Sequence, residues 1–132
     1  MSFVLHTRLE ADTFFIADWP LCRVLLMNDA RYPWLILVPR RDGMTELTDL
    51  TIADRAVLME EIARAGEAVR GMPGVAKLNV GALGNVVPQL HVHVLGRHSG
   101  DPAWPGPVWG HGAAVPHETA ARDALIALVR SL

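Results

Sequence analysis

Gln89-Leu90-His91-Val92-His93-Val94-Leu95 alternates polar and apolar side chains along its length. Side chains at i, i+2 and i+4 of an extended strand share one face. The stretch therefore predicts a β-strand over Leu90 to Arg97 that presents Gln89, His91 and His93 in one row. Leu90, Val92, Val94 and Leu95 anchor it. An amide and two imidazoles in such a row can attack, donate and accept protons, which makes this face the first place to look for chemistry.

Working upstream, Gly81 to Pro88 reads as a loop and Ala76 to Val80 as a strand. Thr51 to Arg70 predicts a long helix, because Leu58, Ile62, Ala65 and Val69 fall on one stripe at helical spacing. Thr51 or Asp49 can cap its start, and Gly71, Pro73 and Gly74 end it. Thr13 to Ile16, Cys22 to Met27 and Trp34 to Val38 read as short strands. The last two suggest a hairpin around Asn28-Asp29-Ala30-Arg31, with Pro33 and Pro39 limiting pairing at the ends. Downstream, Asp101 to Gly110 is rich in Pro, Gly and Trp and reads as an ordered loop pinned by its tryptophans. Pro116 to Leu132 predicts a terminal helix with Leu125, Leu128, Val129 and Leu132 on one side. Strands in adjacent runs joined by short turns favour an α+β fold with an antiparallel sheet.

The 132 residues suit one domain, whose texture changes after Arg97 into an extension over residues 99–132. With 51% hydrophobic and 20% charged residues the chain can fill an ordinary core. A formal net charge of −2 gives no general grip on nucleic acid or acidic membranes. Of the 12 basic residues only Lys77 is a lysine. Cys22 is the only cysteine, so no intrachain disulfide can form, and a reducing, cytoplasmic setting is expected. The first residues lack the pattern of a secretory signal, and no apolar run approaches the ~18 residues that span a bilayer.

A neutral imidazole, with an unperturbed pKa of about 6.5, is a good nucleophile near neutral pH and can form a covalent intermediate at phosphorus or a carbonyl. A second imidazole on the same face can carry a proton or hold an anionic oxygen. Gln89 would offer donor and acceptor without changing charge. His-x-His is also a familiar pair of zinc ligands, with Cys22, His98, Asp101, His111 and His117 as conceivable partners, none at a telling spacing. Arg97 and His98 read as an exposed strand end, with phosphate contact as the alternative. Trp104 and Trp109 read as closing a core or a subunit contact rather than stacking on a base.

The stretch Gly84-Asn85-Val86-Val87-Pro88-Gln89-Leu90-His91-Val92-His93-Val94-Leu95-Gly96-Arg97 resembles the signature of the histidine triad (HIT) superfamily, His-φ-His-φ-His-φ-φ with φ apolar. Val24 to Arg41, ending in Val38-Pro39-Arg40-Arg41, resembles the family's strand, nucleotide-contacting turn and second strand. The helix and the Lys77-Leu78-Asn79-Val80 strand follow in the expected order. The resemblance implies a HIT-like fold with about five antiparallel strands, one long helix and a C-terminal helix.

It also implies an enzyme, a hydrolase or nucleotidyl transferase acting at the α-phosphorus of a purine nucleotide conjugate. Such a conjugate is a phosphoramidate or a dinucleoside polyphosphate such as diadenosine tetraphosphate. His91 takes the place of the nucleophile, and His93 the place that contacts phosphate and assists the leaving group. Asn28 matches a ribose-holding position, Asn79 a phosphate-side or nucleophile-orienting amide, and Asn85 a residue facing the leaving group. No cofactor is required, and a homodimer is expected. Two departures stand out: Gln89 replaces the first histidine, so the relay orienting His91 must differ, and the loop Gly81-Ala82-Leu83-Gly84 is short and apolar. The alternatives are a nucleotide-binding module with little catalysis and a zinc-binding protein.

Overall fold

The computed structural model describes residues 2–132. Five strands form one sheet: β1 (Thr13–Asp18), β2 (Cys22–Met27), β3 (Trp34–Pro39), β4 (Lys77–Gly81) and β5 (Val92–Arg97). Their order is β1-β2-β3-β5-β4, and every pairing is antiparallel. The expected α+β architecture is present. Helices α1 (Thr7–Asp12), α2 (Ile52–Arg70) and α3 (Thr119–Arg130) complete it.

The two faces of the sheet carry different residues because side chains alternate along each strand. Val24, Leu26, Leu35, Leu37, Val92 and Val94 point to α2, where they pack with Leu58, Ala65 and Val69. Thr51 caps α2 by accepting a hydrogen bond from the Asp54 amide. Glu61, buried on the same helix, accepts from the amides of Leu21 and Cys22 at 2.9 and 2.8 Å and so ties α2 to the start of β2. Gly96 lets β5 lie close to this layer, since a Cβ there would come within 2.6 Å of the Val75 side chain. On the opposite face Leu25, Trp34, Ile36, Val38 and Leu95 meet Leu9, Val87, Ala103 and Val108. That second face carries His93 as well.

Three details differ from the sequence expectation. Helix α1 was not foreseen; it buries only Leu9, too little to produce a period, and starts where the His6 ring accepts from the Arg8 amide. Strand β5 starts at Val92 rather than Leu90, because the Leu90 amide donates to the Met44 carbonyl and leaves the sheet ladder at that point. In α3 the side turned inward is Leu125, Ile126 and Val129, while Leu128 and Leu132 are exposed. Among the described residues no helix is long and apolar enough to cross a membrane.

Candidate functional site

His91 stands just before β5 and His93 within it, opposite Ile36 of β3 and Gly81 of β4. Their rings meet edge to face with centroids 5.0 Å apart, and both are almost fully buried. The apolar strand residues behind them lock the backbone, as the alternation predicts.

Hydrogen bonding assigns a proton to each ring. His91 Nδ1 lies 2.7 Å from the Gln89 backbone carbonyl. A carbonyl can only accept, so Nδ1 carries the proton and a neutral His91 keeps its lone pair on Nε2. His93 Nδ1 lies 3.0 Å from Trp34 Nε1. An indole N–H can only donate, so here Nδ1 carries the lone pair and a neutral His93 holds its proton on Nε2. Burial, with a smaller contribution from neighbouring His91, pushes the His93 pKa down to about 4, so the ring is neutral over the physiological range. The outcome is a bare nitrogen beside an N–H donor.

His91 and Gln89 line a cavity of about 290 Å³ with Thr45, Glu46, Thr48, Leu83 and Gly84. The short loop after β4 thus forms one wall, and the segment after β3 forms the other. Asp49 shapes the second wall by accepting from the Thr45 amide and hydroxyl and from the Glu46 amide. The wall holds one carboxylate and no lysine or arginine. His93 does not line this cavity; it sits next to His91 under Trp109, whose ring is 5.4 Å away and rests against Gly81, where a Cβ would come within 3.1 Å of it.

The remaining sequence candidates are placed unevenly. The Gln89 side chain turns away from His91: its Nε2 donates to the Val4 carbonyl at 2.9 Å and its Oε1 accepts from the His6 amide at 2.8 Å. Asn28 Oδ1 accepts from the His117 amide at 2.9 Å. Asn79 lies on the histidine face, but its Oδ1 accepts from Arg97 Nη1 and its Nδ2 donates to the Leu78 carbonyl. Asn85 is exposed on the loop next to Gly84. His91 and His93 are therefore brought together, with Gln89 beside them through its main chain, while Asn28 and Asn79 are engaged elsewhere.

Arg97 is not an exposed strand end. It is fully buried and bonds Asp101 through Nε and Nη2 at 2.7 and 2.9 Å, with Nη2 also donating to the Gly106 carbonyl. Asp101 in turn accepts from the amides of His98 and Trp104, and the Arg97 contact holds its carboxyl down at about 2. This pair, more than the tryptophans, staples the Pro/Gly-rich loop across the sheet. Trp104 is 40% exposed. Cys22 is buried in the α2 layer, on the other side of the sheet from the histidines, so it cannot join them around a metal. Among the described residues no three His, Cys, Asp or Glu side chains are grouped to hold one.

Sequence reasoning missed Trp34 as the partner of His93, Trp109 as its cover, and the Val4–His6 segment as the partner of Gln89. The alternation within Trp34–Pro39 already put Trp34 on the same face as Ile36; only the β3–β5 pairing, absent from the sequence, reveals what it touches.

Several solved structures are similar over nearly the whole chain. A histidine triad protein from Bradyrhizobium japonicum is 46% identical with a TM-score of 0.96, over 99% of this chain and 98% of that one. Another from Sinorhizobium meliloti is 46% identical, TM-score 0.95, over 98% and 96%. A third from Marinobacter aquaeolei is 44% identical, TM-score 0.95, over 99% and 96%. No curated protein matches the chain. The HIT domain family model matches residues 8–100, which take in the whole sheet, α2 and the histidine pair. A paired-histidine strand in this sheet, the family match and these neighbours agree: the chain belongs to the HIT domain family.

Proposed function

We propose that this protein is a nucleotide hydrolase or nucleotidyl transferase acting at the α-phosphorus of a purine nucleotide conjugate. The observation that carries the reading is the 2.7 Å contact between His91 Nδ1 and the Gln89 carbonyl, which leaves an unprotonated Nε2 on a ring that lines a cavity. In this reaction the Nε2 lone pair forms a bond to phosphorus while the bond from phosphorus to the leaving group breaks. The leaving group departs with the electron pair and takes a proton from solvent. The nucleotidylated ring is cationic, and the Gln89 carbonyl stabilises it through the retained Nδ1–H. Water, or another acceptor, then attacks phosphorus and gives a proton to solvent, while the phosphorus–nitrogen bond breaks and returns its pair to Nε2. Positioning and donors aimed at the phosphoryl oxygens supply most of the acceleration, and no metal is required.

Asn85, exposed beside the cavity, is free to meet a leaving group. Asn79 reaches a ribose or phosphate only by giving up its present partners, whereas Asn28 holds the His117 amide through Oδ1 and keeps its Nδ2 donor. The cavity wall, with Glu46 and no lysine or arginine, favours an amine leaving group over a polyphosphate carrying several negative charges. A phosphoramidate is therefore the preferred conjugate.

The test is to incubate the protein with adenosine phosphoramidate and with diadenosine tetraphosphate, and to trap the nucleotidyl adduct by mass spectrometry. Turnover of the phosphoramidate with an adduct on His91, both abolished in His91→Ala, is the expected result. Turnover surviving that substitution refutes the nucleophile.

The tethering of Gln89, Asn28 and Asn79 favours a second reading, a nucleotide-binding module with little catalysis. Calorimetry showing tight AMP binding without turnover of either conjugate would select it. A homodimer is proposed with either reading. It is supported by the open β4 edge of the sheet and by exposed Val80, Ile52 and Met59. Sedimentation at micromolar concentration giving a monomer would refute it.

A further inference from the structure

One buried donor on the histidine face, the Trp34 indole, bonds a histidine directly. Trp34 is 4% exposed, its indole N–H ends on His93 Nδ1, and its ring centroid lies 5.6 Å from that of His93. Trp34 opposes Leu95 and Ile36 opposes His93, so the indole reaches His93 across the diagonal of the antiparallel pair. Trp109 covers the ring at 5.4 Å, leaving little room to rotate.

We propose that Trp34 is the positioning residue that commits His93 to the Nε2–H tautomer, so that His93 serves the phosphoryl group as a fixed neutral hydrogen-bond donor and not as an acid. This rests on the proposed reaction at His91. The Nδ1–H tautomer, or a ring protonated at both nitrogens, would place N–H against N–H at the indole, and a buried unpaired donor is costly. Trp34 thus excludes both alternatives. The lowered His93 pKa agrees with the second exclusion. No proton moves in this role: Nε2–H stays intact while charge grows on the phosphoryl oxygen. The His93 ring has no other polar contact with the protein among the described residues, which leaves Nε2 for a ligand.

The experiment is a long-range proton–nitrogen correlation spectrum of protein labelled with 15N histidine, with and without Trp34→Phe. In the native protein His93 is expected to show an unprotonated Nδ1 and a protonated Nε2, unchanged between about pH 5 and pH 8. In Trp34→Phe the tautomers mix and the ring titrates closer to its ordinary value. A protonated Nδ1 in the native spectrum overturns the proposal, and so does an unaltered tautomer in the variant.

The native spectrum decides the tautomer even where Trp34→Phe folds poorly, and it does so whether or not any conjugate is turned over. Activity then tests the role. His93→Gln, which keeps an N–H donor that cannot titrate, should hold kcat within about tenfold, whereas His93→Leu should lose about a hundredfold or more. If the two variants are equally impaired, His93 is more than a donor.

Discussion

The amide of Gln89 makes a sharp prediction because both of its polar atoms bond the backbone of one short segment. The Val4 carbonyl and His6 amide flank Leu5 on one side of the chain, and the Gln89 side chain meets them at 2.9 and 2.8 Å much as a peptide group of a neighbouring strand would. Gln89→Leu keeps a similar volume and removes both bonds. A hydrogen bond of this kind nets about 0.5–1.5 kcal/mol, and these two are partly exposed, so the segment should loosen by about 1–2 kcal/mol. Phe3 and Leu5 still pack on the second core and Leu9 stays buried, so the change is local. The His6 amide is itself one of the donors, which makes its hydrogen exchange by NMR a direct reporter. Its protection should fall by about 5–30-fold, the factor that 1–2 kcal/mol represents, while amides of β3 and β5 remain unchanged. Gln89→Glu is the control: an ionised carboxylate still accepts from the His6 amide but faces the Val4 carbonyl with another oxygen, so His6 protection should be largely retained. Unchanged His6 exchange in Gln89→Leu would show that apolar packing alone holds the segment and would refute the clasp.

Asp101→Ala strands the buried Arg97 guanidinium and should cost about 3–5 kcal/mol in urea unfolding; replacing both residues together by Met and Leu should recover much of it. Because the folded His93 ring refuses a proton until about pH 4, whereas an unfolded one accepts it below about pH 6.5, stability should decline as pH falls through that window, by about 3 kcal/mol. His93→Gln should flatten this part of the curve, which denaturant melts at a series of pH values will show. Glu61→Leu leaves the Leu21 and Cys22 amides without their acceptor inside the α2 layer and should destabilise by about 2–4 kcal/mol in the same assay.

What the sequence made legible follows from the range over which each signal acts. Cys22–Met27 was read at its observed bounds and α2 within a residue, because a short apolar run between turn residues, a Thr51 cap and a Gly-Pro ending are all local. Arg97 was misread for the opposite reason. A charged residue after Gly96 resembles an exposed strand end, and only the fold of the following loop brings Asp101 back to neutralise it. Asn28 looked like a turn residue until the His117 amide, 89 positions away, supplied its partner. The Trp34–His93 contact spans 59 positions and depends on β5 pairing with β3, a choice that no local pattern encodes.

The same distinction bears on Gln89, which the sequence resemblance sets against the first histidine of the family pattern. His91 is oriented by the carbonyl of residue 89, a main-chain group that every amino acid provides there. The side chain at 89 is thereby released from orienting His91 and is used to clasp Val4 and His6. An imidazole in its place would have a donor and an acceptor too, but on nitrogens whose bonding directions diverge, whereas the planar amide points both the same way. Gln89→His should therefore keep the His91 tautomer, readable in the same nitrogen spectrum, while raising His6 exchange towards that of Gln89→Leu. A shift of the His91 proton from Nδ1 to Nε2 in that variant would mean that the side chain, and not the carbonyl, sets the His91 tautomer.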